Sequence, residues 1–144
     1  MVGTKTDRRA RAEHLFRVVS SDRFLQKQGL GNEVPFFICA FDAEDGLSLG
    51  EDREDLIAGL SHAGVRVLDI DLYDLSIRIL EDRGIFEQIL EVEVETEKAE
   101  LKELLQGVLD PQAHLIPEIA RRIEEVPHDV IFLSGVGEVY PYLR

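Results

Sequence analysis

The fold is indicated most clearly by the segment Val130-Ile-Phe-Leu-Ser-Gly-Val-Gly-Glu-Val-Tyr-Pro-Tyr-Leu-Arg144. It begins with an apolar run, which breaks at a turn that contains Gly135 and Gly137. Such runs are typical of strands buried in a parallel sheet. Ligands and partners of these sheets bind beside the turn that follows a strand. The segment therefore predicts a strand over residues 129–133 that leads into a functional surface, with no further element after it.

Two more strands are predicted upstream. Residues 34–41 form a nearly continuous apolar run, which suits a strand buried on both faces, and residues 65–72 are the second predicted strand. Apolar residues at helical spacing predict helices around them. The predicted helices cover residues 7–27, 51–63 and 75–90, and then the regions around residues 101–108 and 115–123. Residues 91–95 alternate with a period of two and fit either a helix end or a short edge strand.

This order of elements predicts one α/β domain over residues 1–144. Strands that alternate with helices indicate right-handed crossovers and a three-layer, mostly parallel sheet of three strands. The expected topology is Rossmann-like or P-loop-like, with helices flanking the sheet.

The formal net charge of −13 is unevenly distributed. Residues 1–28 contain seven basic and three acidic side chains, whereas the rest contains 9 basic and 26 acidic ones. Two interpretations remain open for this basic N-terminal helix. In the first, it is a solvated helix that packs electrostatically on the acidic body of the same chain. In the second, it offers a basic strip to nucleic acid or to an acidic partner, and weak nucleic-acid binding would use Arg8, Arg9 and Arg11. The acidic body argues against general phosphate-backbone binding, which needs clustered lysine and arginine.

A cytoplasmic location is expected from two features. Cys39 is the only cysteine, so no intramolecular disulfide can form, and it lies among apolar residues that predict a buried, inert thiol. The N-terminus lacks the apolar core of a signal peptide, and no apolar run approaches the ~20 residues of a membrane span.

The turn at Gly135 and Gly137 lacks the features of a nucleotide site. A dinucleotide fingerprint needs a third glycine and a helix that meets the pyrophosphate, and a P-loop needs Gly-Lys-Ser/Thr. Neither pattern occurs. A tight turn that needs positive φ is the simpler interpretation, and no cofactor is predicted.

A metal-dependent nuclease or nucleotide hydrolase is the alternative activity. Asp42 follows the first predicted strand, and Asp69 and Asp71 lie two residues apart in the second, near Asp74. Carboxylates at neighbouring strand ends can share Mg²⁺. An aspartate at a strand end also commonly caps the next helix, so both interpretations of Asp71 stay open.

The wording of residues 133–144, Leu-Ser-Gly-Val-Gly-Glu-Val-Tyr-Pro-Tyr-Leu-Arg, resembles the BrxB family of bacterial BREX phage-defence systems. Members typically carry Leu-Thr-Gly-Val-Gly-Glu-Val-Tyr-Pro-Phe-Leu-Arg-Ser-His here. Looser matches cover residues 35–42, 69–74 and 80–84. Family members usually continue through a further helix and another strand. The chain is therefore expected to be a shortened piece, or else a naturally short relative.

The resemblance implies a small, non-catalytic component of a complex that methylates host DNA and blocks phage replication. Its expected role is that of an adaptor for a larger BREX protein, notably the alkaline-phosphatase-like PglZ. Tyrosine and arginine are enriched at interface hot spots. The candidate partner-binding residues are therefore Glu138, Tyr140, Tyr142 and Arg144. Internal packing of both tyrosines is the open alternative.

Overall fold

The computed structural model describes residues 5–27 and 36–143, which form mainly α-helices. The elements are α1 Lys5–Val19, α2 Asp22–Leu25, α3 Gly46–His62, β1 Val67–Asp71, α4 Leu72–Asp82, α5 Phe86–Glu93, α6 Lys98–Val108, α7 Ile116–Glu125, β2 Val130–Ser134 and α8 Val136–Val139. A 3-10 turn, Ala43–Asp45, precedes α3, and a π-helical turn, Pro111–Leu115, precedes α7.

The predicted three-layer sheet of three strands is wrong. Within the described residues, one sheet is present, and it contains only the parallel strands β1 and β2. Residues 36–41 form neither strand nor helix and are exposed, so the predicted burial of Cys39 is also wrong. Residues 34 and 35 lie outside the described ranges. The apolar run predicted burial in a sheet, but a strand also needs a neighbouring backbone to pair with. No backbone hydrogen bond joins residues 36–41 to another described residue.

Other differences are local. The predicted N-terminal helix ends early, because Ser21 caps the separate helix α2 and accepts a hydrogen bond from the Phe24 amide. Gly84, at φ +67°, separates α4 from α5. Residues 91–93 continue α5, so they are a helix end rather than a strand. The expectation that no element follows the last strand is wrong, since α8 does.

The chain divides into two compact units. The first comprises Met1–Val67 with His128–Val130, and the second comprises Leu68–Pro127 with Ile131–Arg144. In the first unit, α1 packs on α3, where a methyl group on Gly59 would lie 3.3 Å from the Phe16 ring. The fully buried Leu60 belongs to this unit.

Arg66 and Asp129, also in the first unit, join the residues that precede the two strands. The Arg66 Nη2 and Nε atoms donate to Oδ1 and Oδ2 of Asp129 at 2.7 and 3.0 Å. The backbone amide of Asp129 donates in turn to the Arg66 carbonyl at 2.8 Å. Hydrogen bonds from Arg66 hold the pKa of the Asp129 carboxyl well below its usual range. This reciprocal pairing aligns the starts of β1 and β2.

The second unit contains the main hydrophobic core. β1 contributes Leu68 and Ile70, on the face opposite Asp69, because side chains alternate along a strand. α4 contributes three residues at helical spacing. The buried cluster is Leu68, Ile70, Leu75, Ile79, Leu80, Leu109 and Leu115. The amphipathic pattern of α4 therefore orients it on β1.

The helices of the described residues show no candidate for a membrane span, since none is both long and apolar enough to cross a bilayer.

Candidate functional site

The candidate site lies at the carboxyl ends of β1 and β2, where each strand turns into a helix. Asp71 ends β1 and caps α4: its Oδ1 atom accepts hydrogen bonds from the backbone amides of Tyr73 and Asp74 at 2.9 and 3.2 Å. A carboxylate in this position satisfies amides that have no partner within the helix. Of the two interpretations of Asp71, helix capping agrees with these hydrogen bonds.

Gly135 follows β2 and approaches this cap closely. Its φ is +76°, in the left-handed region that favours glycine. A methyl group on Gly135 would lie 2.8 Å from the Asp71 Oδ1 atom and 3.1 Å from the Tyr73 amide nitrogen. The Ser134 hydroxyl contacts the other Asp71 oxygen at 3.4 Å. The turns after the two strands are therefore in contact through the carboxylate of Asp71.

The residues of the metal hypothesis do not all belong to one element. Asp42 is the exposed residue before the 3-10 turn, and Asp69 is exposed within β1. Across residues 5–27 and 36–143, no three His, Cys, Asp or Glu side chains come together in a group that could hold a metal ion. Metal binding at Asp42, Asp69 and Asp71 remains a prediction from sequence.

The segment after Gly135 is anchored to the second unit at several points. Val139 is buried, and Leu143 packs against the core cluster. The Gln106 Nε2 atom, on α6, donates to the Pro141 carbonyl at 2.7 Å. Gly137, within α8, has open space where a side chain would be. The backbone from α8 to Leu143 is thereby attached to α6 and to the core.

The two tyrosines of this segment are exposed to different degrees. Tyr140 has 66% of its surface exposed and Tyr142 has 37%. Glu138 is exposed beside them, while Arg144 lies outside the described residues. We call Glu138, Tyr140 and Tyr142 the tyrosine surface. Two aromatic side chains on a tethered backbone form a surface suited to contact with a protein, because little side-chain freedom is lost on binding.

The basic N-terminal helix is partly neutralised within the first unit. Arg8 donates to Asp52 at 2.7 and 2.9 Å, to the Ser48 carbonyl at 3.0 Å and to Glu51 at 3.2 Å. These hydrogen bonds, first to Asp52 and then to Glu51, raise the pKa of the Arg8 guanidinium. Arg9 pairs with Glu13, and Arg11 is half-buried. The Arg8 contacts favour packing on the acidic body over nucleic-acid binding.

Gln106 and Leu143 were not identified from sequence. Gln106 donates to the Pro141 carbonyl, and Leu143 packs against the core cluster, so both contact residues distant in sequence. No sequence pattern around an isolated glutamine in an amphipathic helix indicates which group it binds. Leu143 had a weak signal, as an apolar residue between Tyr142 and Arg144 in the sequence.

The family model of BREX protein BrxB matches residues 68–144, just over half of the chain. The chain belongs to the BrxB family. This match confirms the resemblance that residues 133–144 indicated. Family membership implies a component of a BREX phage-defence system. The matched region contains β1, the capped α4, β2 and the tyrosine surface.

Two relatives extend this BrxB similarity to the N-terminal part. BREX protein BrxB of Escherichia coli O9:H4 (strain HS) is 29% identical over 126 residues, which is 88% of the chain and 62% of that relative. BREX protein BrxB of Bacillus cereus (strain H3081.97) is 24% identical over 138 residues, which is 93% of the chain and 71% of that relative. The chain thus spans less than two thirds of the Escherichia coli relative. No solved structure matches the chain significantly.

Proposed function

We propose that the chain is a non-catalytic adaptor of a BREX complex and binds another BREX protein, with PglZ as the expected partner. The observation that carries this proposal is the exposure of Tyr140 and Tyr142 on an anchored backbone. Exposed aromatic side chains on a rigid support are typical hot-spot residues, since burying them against a partner releases water at a low cost in entropy.

Charge supports the same proposal. The chain carries a formal net charge of −13, and Glu138 adds a carboxylate directly beside the two tyrosines. An acidic surface attracts a basic partner surface and raises the association rate, while it repels nucleic-acid backbones. A protein partner with a basic binding surface fits this charge better than DNA or RNA does.

Co-purification tests the proposal. Tagged PglZ from the same system is expressed with the chain, either unchanged or carrying Tyr140→Ala, Tyr142→Ala or Arg144→Ala. Hot-spot truncations cost about 2 kcal/mol or more, so at least one tyrosine variant is expected to lower the retained amount clearly. Dissociation constants from the purified proteins then give the size of each effect.

The control is Val94→Ala. Val94 is an apolar residue, 87% exposed, at the end of α5 in the same unit. It matches the loss of exposed apolar surface without changing the tyrosine surface. Retention equal to that of the unchanged chain in all the tyrosine and arginine variants would exclude residues 138–144 from the interface.

A further inference from the structure

Residues 36–41, Phe-Phe-Ile-Cys-Ala-Phe, form an exposed apolar stretch before α3, which we call the apolar segment. The exposed fraction is 87% for Phe36, 68% for Phe37 and 95% for Ile38, and Cys39 is exposed as well. Burying apolar surface yields about 25 cal/mol per Å². Contiguous exposed apolar patches therefore mark interaction sites in soluble proteins.

The backbone of the apolar segment is paired with none of the residues that the structure describes. It belongs to no helix or strand. Phenylalanine and isoleucine strongly favour strands. An extended segment of this composition can join an open sheet edge of another protein. The edge supplies hydrogen bonds along the backbone and pockets for alternate side chains.

One side of the apolar segment is already held by its own unit. The Phe37 ring packs on Phe24 of α2, with ring centroids 5.3 Å apart. Phe37 and Phe41 are less exposed than Phe36 and Ile38. Because side chains alternate along a strand, Phe36 and Ile38 would share one face of a paired strand. That face is the one offered to solvent.

Charge defines the kind of partner. Exposed carboxylates of Asp42 and Glu44 follow the apolar segment directly. A second copy of this chain carries the same net charge of −13, which opposes the association of two copies. Like-charge contacts at an interface cost several kcal/mol in general. A sheet edge bordered by lysine or arginine side chains would instead attract these carboxylates.

We propose that the apolar segment is captured as an added strand by another protein, at an open sheet edge bordered by lysine or arginine. The inference rests on the proposed function, since it requires that the chain works by binding a protein. It adds a second contact, in the first unit, to the tyrosine surface of the second unit.

The test measures binding of the full chain to the purified proteins of the same BREX system, one at a time, beginning with PglZ. Ile38→Asp and Phe36→Asp place a charge on the exposed apolar face. We expect them to raise the Kd at least tenfold, with weaker binding of the unchanged chain at high salt. Val94→Asp adds the same charge at an equally exposed apolar residue of the other unit and is expected to leave the Kd unchanged.

Proline variants test backbone pairing separately from side-chain burial. Adjacent amides of a strand point in opposite directions, so only one of Ile38 and Cys39 donates to a given neighbouring strand. One of Ile38→Pro and Cys39→Pro should therefore weaken binding at least tenfold, and the other clearly less. Hydrogen exchange should show protection of the amides of residues 36–41 in the complex.

The other possible results each overturn one or both of the two proposed contact surfaces, or the basic character of the partner. Unchanged affinity in Ile38→Asp and Phe36→Asp overturns this inference but leaves the tyrosine surface intact. Loss in these variants alone, with unaffected Tyr140→Ala and Tyr142→Ala, overturns the tyrosine surface instead. Failure of every BREX protein to bind overturns both. Binding that is independent of salt, or a dimer of the chain that Ile38→Asp dissociates, overturns the basic partner.

Discussion

A methyl group added to Gly135 would lie 2.8 Å from the Asp71 Oδ1 atom, so the turn after β2 reaches the cap of α4. The same oxygen accepts the amides of Tyr73 and Asp74. The start of α4 and the start of α8 are therefore positioned by one carboxylate. Since the tyrosine surface follows α8 directly, this contact connects the core of the second unit to the proposed partner-binding residues.

Gly135→Ala is expected to destabilise the second unit by about 1–3 kcal/mol. An alanine at φ +76° is strained, and its methyl group must also displace Asp71 or the start of α4. Gly137→Ala is the matched control, because a methyl group there meets no atom within 4 Å. Alanine at this helical position should be neutral or slightly stabilising. Urea unfolding of both variants measures the difference, and equal stabilities would contradict the close approach.

Asp71→Ala should lower the free energy of unfolding by about 0.5–2 kcal/mol, the usual cost of losing an N-cap oxygen. Asp71→Asn keeps an oxygen that can accept the Tyr73 and Asp74 amides, so most of the stability should return. Thermal unfolding of the two variants is the measurement. A loss in Asp71→Asn as large as in Asp71→Ala would mean that the charge, rather than the cap, is what matters.

Acidification should weaken the fold through Glu118 on α7. Hydrogen bonds from Arg121 first, and then from Arg122, lower the pKa of Glu118 from its ordinary 4.5 to about 2. A carboxyl whose pKa is lower in the folded state stabilises that state above its unfolded pKa. This contribution is complete above about pH 4.5 and is lost as the pH falls towards about 2.

Glu118→Gln should therefore reduce the stability at neutral pH and flatten its decline between these two pH values. Glu103→Gln is the control, because Glu103 is exposed on α6 and forms no ion pair with another described residue. Denaturant unfolding at a series of pH values compares the variants. Parallel pH profiles for the two would contradict the role of Glu118.

Gln106→Ala should weaken PglZ binding without removing any residue of the tyrosine surface. The substitution deletes the donor to the Pro141 carbonyl, a hydrogen bond of 2.7 Å. Such a bond contributes about 0.5–1.5 kcal/mol, so the Kd should rise by up to about tenfold. Hydrogen exchange at residues 142 and 143 should speed up in the free variant. Unchanged exchange there would show that other contacts hold the segment.

Arg8→Ala should loosen α1 from α3 in the first unit. The Arg8 guanidinium on α1 donates hydrogen bonds to Asp52, Glu51 and the Ser48 carbonyl, which all belong to α3. We expect faster hydrogen exchange across α1, whereas Arg9→Ala, which removes only the pair with Glu13 one turn along α1, should change exchange little. Salt-dependent DNA retention that Arg8→Ala abolishes would instead favour the nucleic-acid interpretation of this helix.

Helices and strands that depend on local pattern could be predicted from sequence. α3, α4, α6 and α7 carry apolar residues at helical spacing. β1 lies within the strand predicted over residues 65–72, and β2 overlaps the strand predicted over residues 129–133 but extends to Ser134. The sequence motif at residues 133–144 also indicated the BrxB family, and the family model confirms it. Boundaries were less accurate, since α3 begins at Gly46, whereas the predicted helix begins at residue 51.

Residues 36–41 show why the rest could not be predicted. Their sequence favours a strand as strongly as that of β1, yet a strand exists only where another backbone is aligned to pair with it. That alignment depends on residues distant along the chain, as Arg66 and Asp129 demonstrate for β1 and β2. An apolar run indicates burial, but it does not identify the surface that buries it.

The sequence by itself determined the family, the acidic character and the local helix and strand preferences, because these depend on residue identity and short-range spacing. Only the tertiary structure decided which strand-forming segments pair, that Asp71 caps α4 against Gly135, and how far Tyr140 and Tyr142 are exposed. These features result from contacts between residues 35 to 64 positions apart, and the geometry of such contacts is set by packing rather than by local preference.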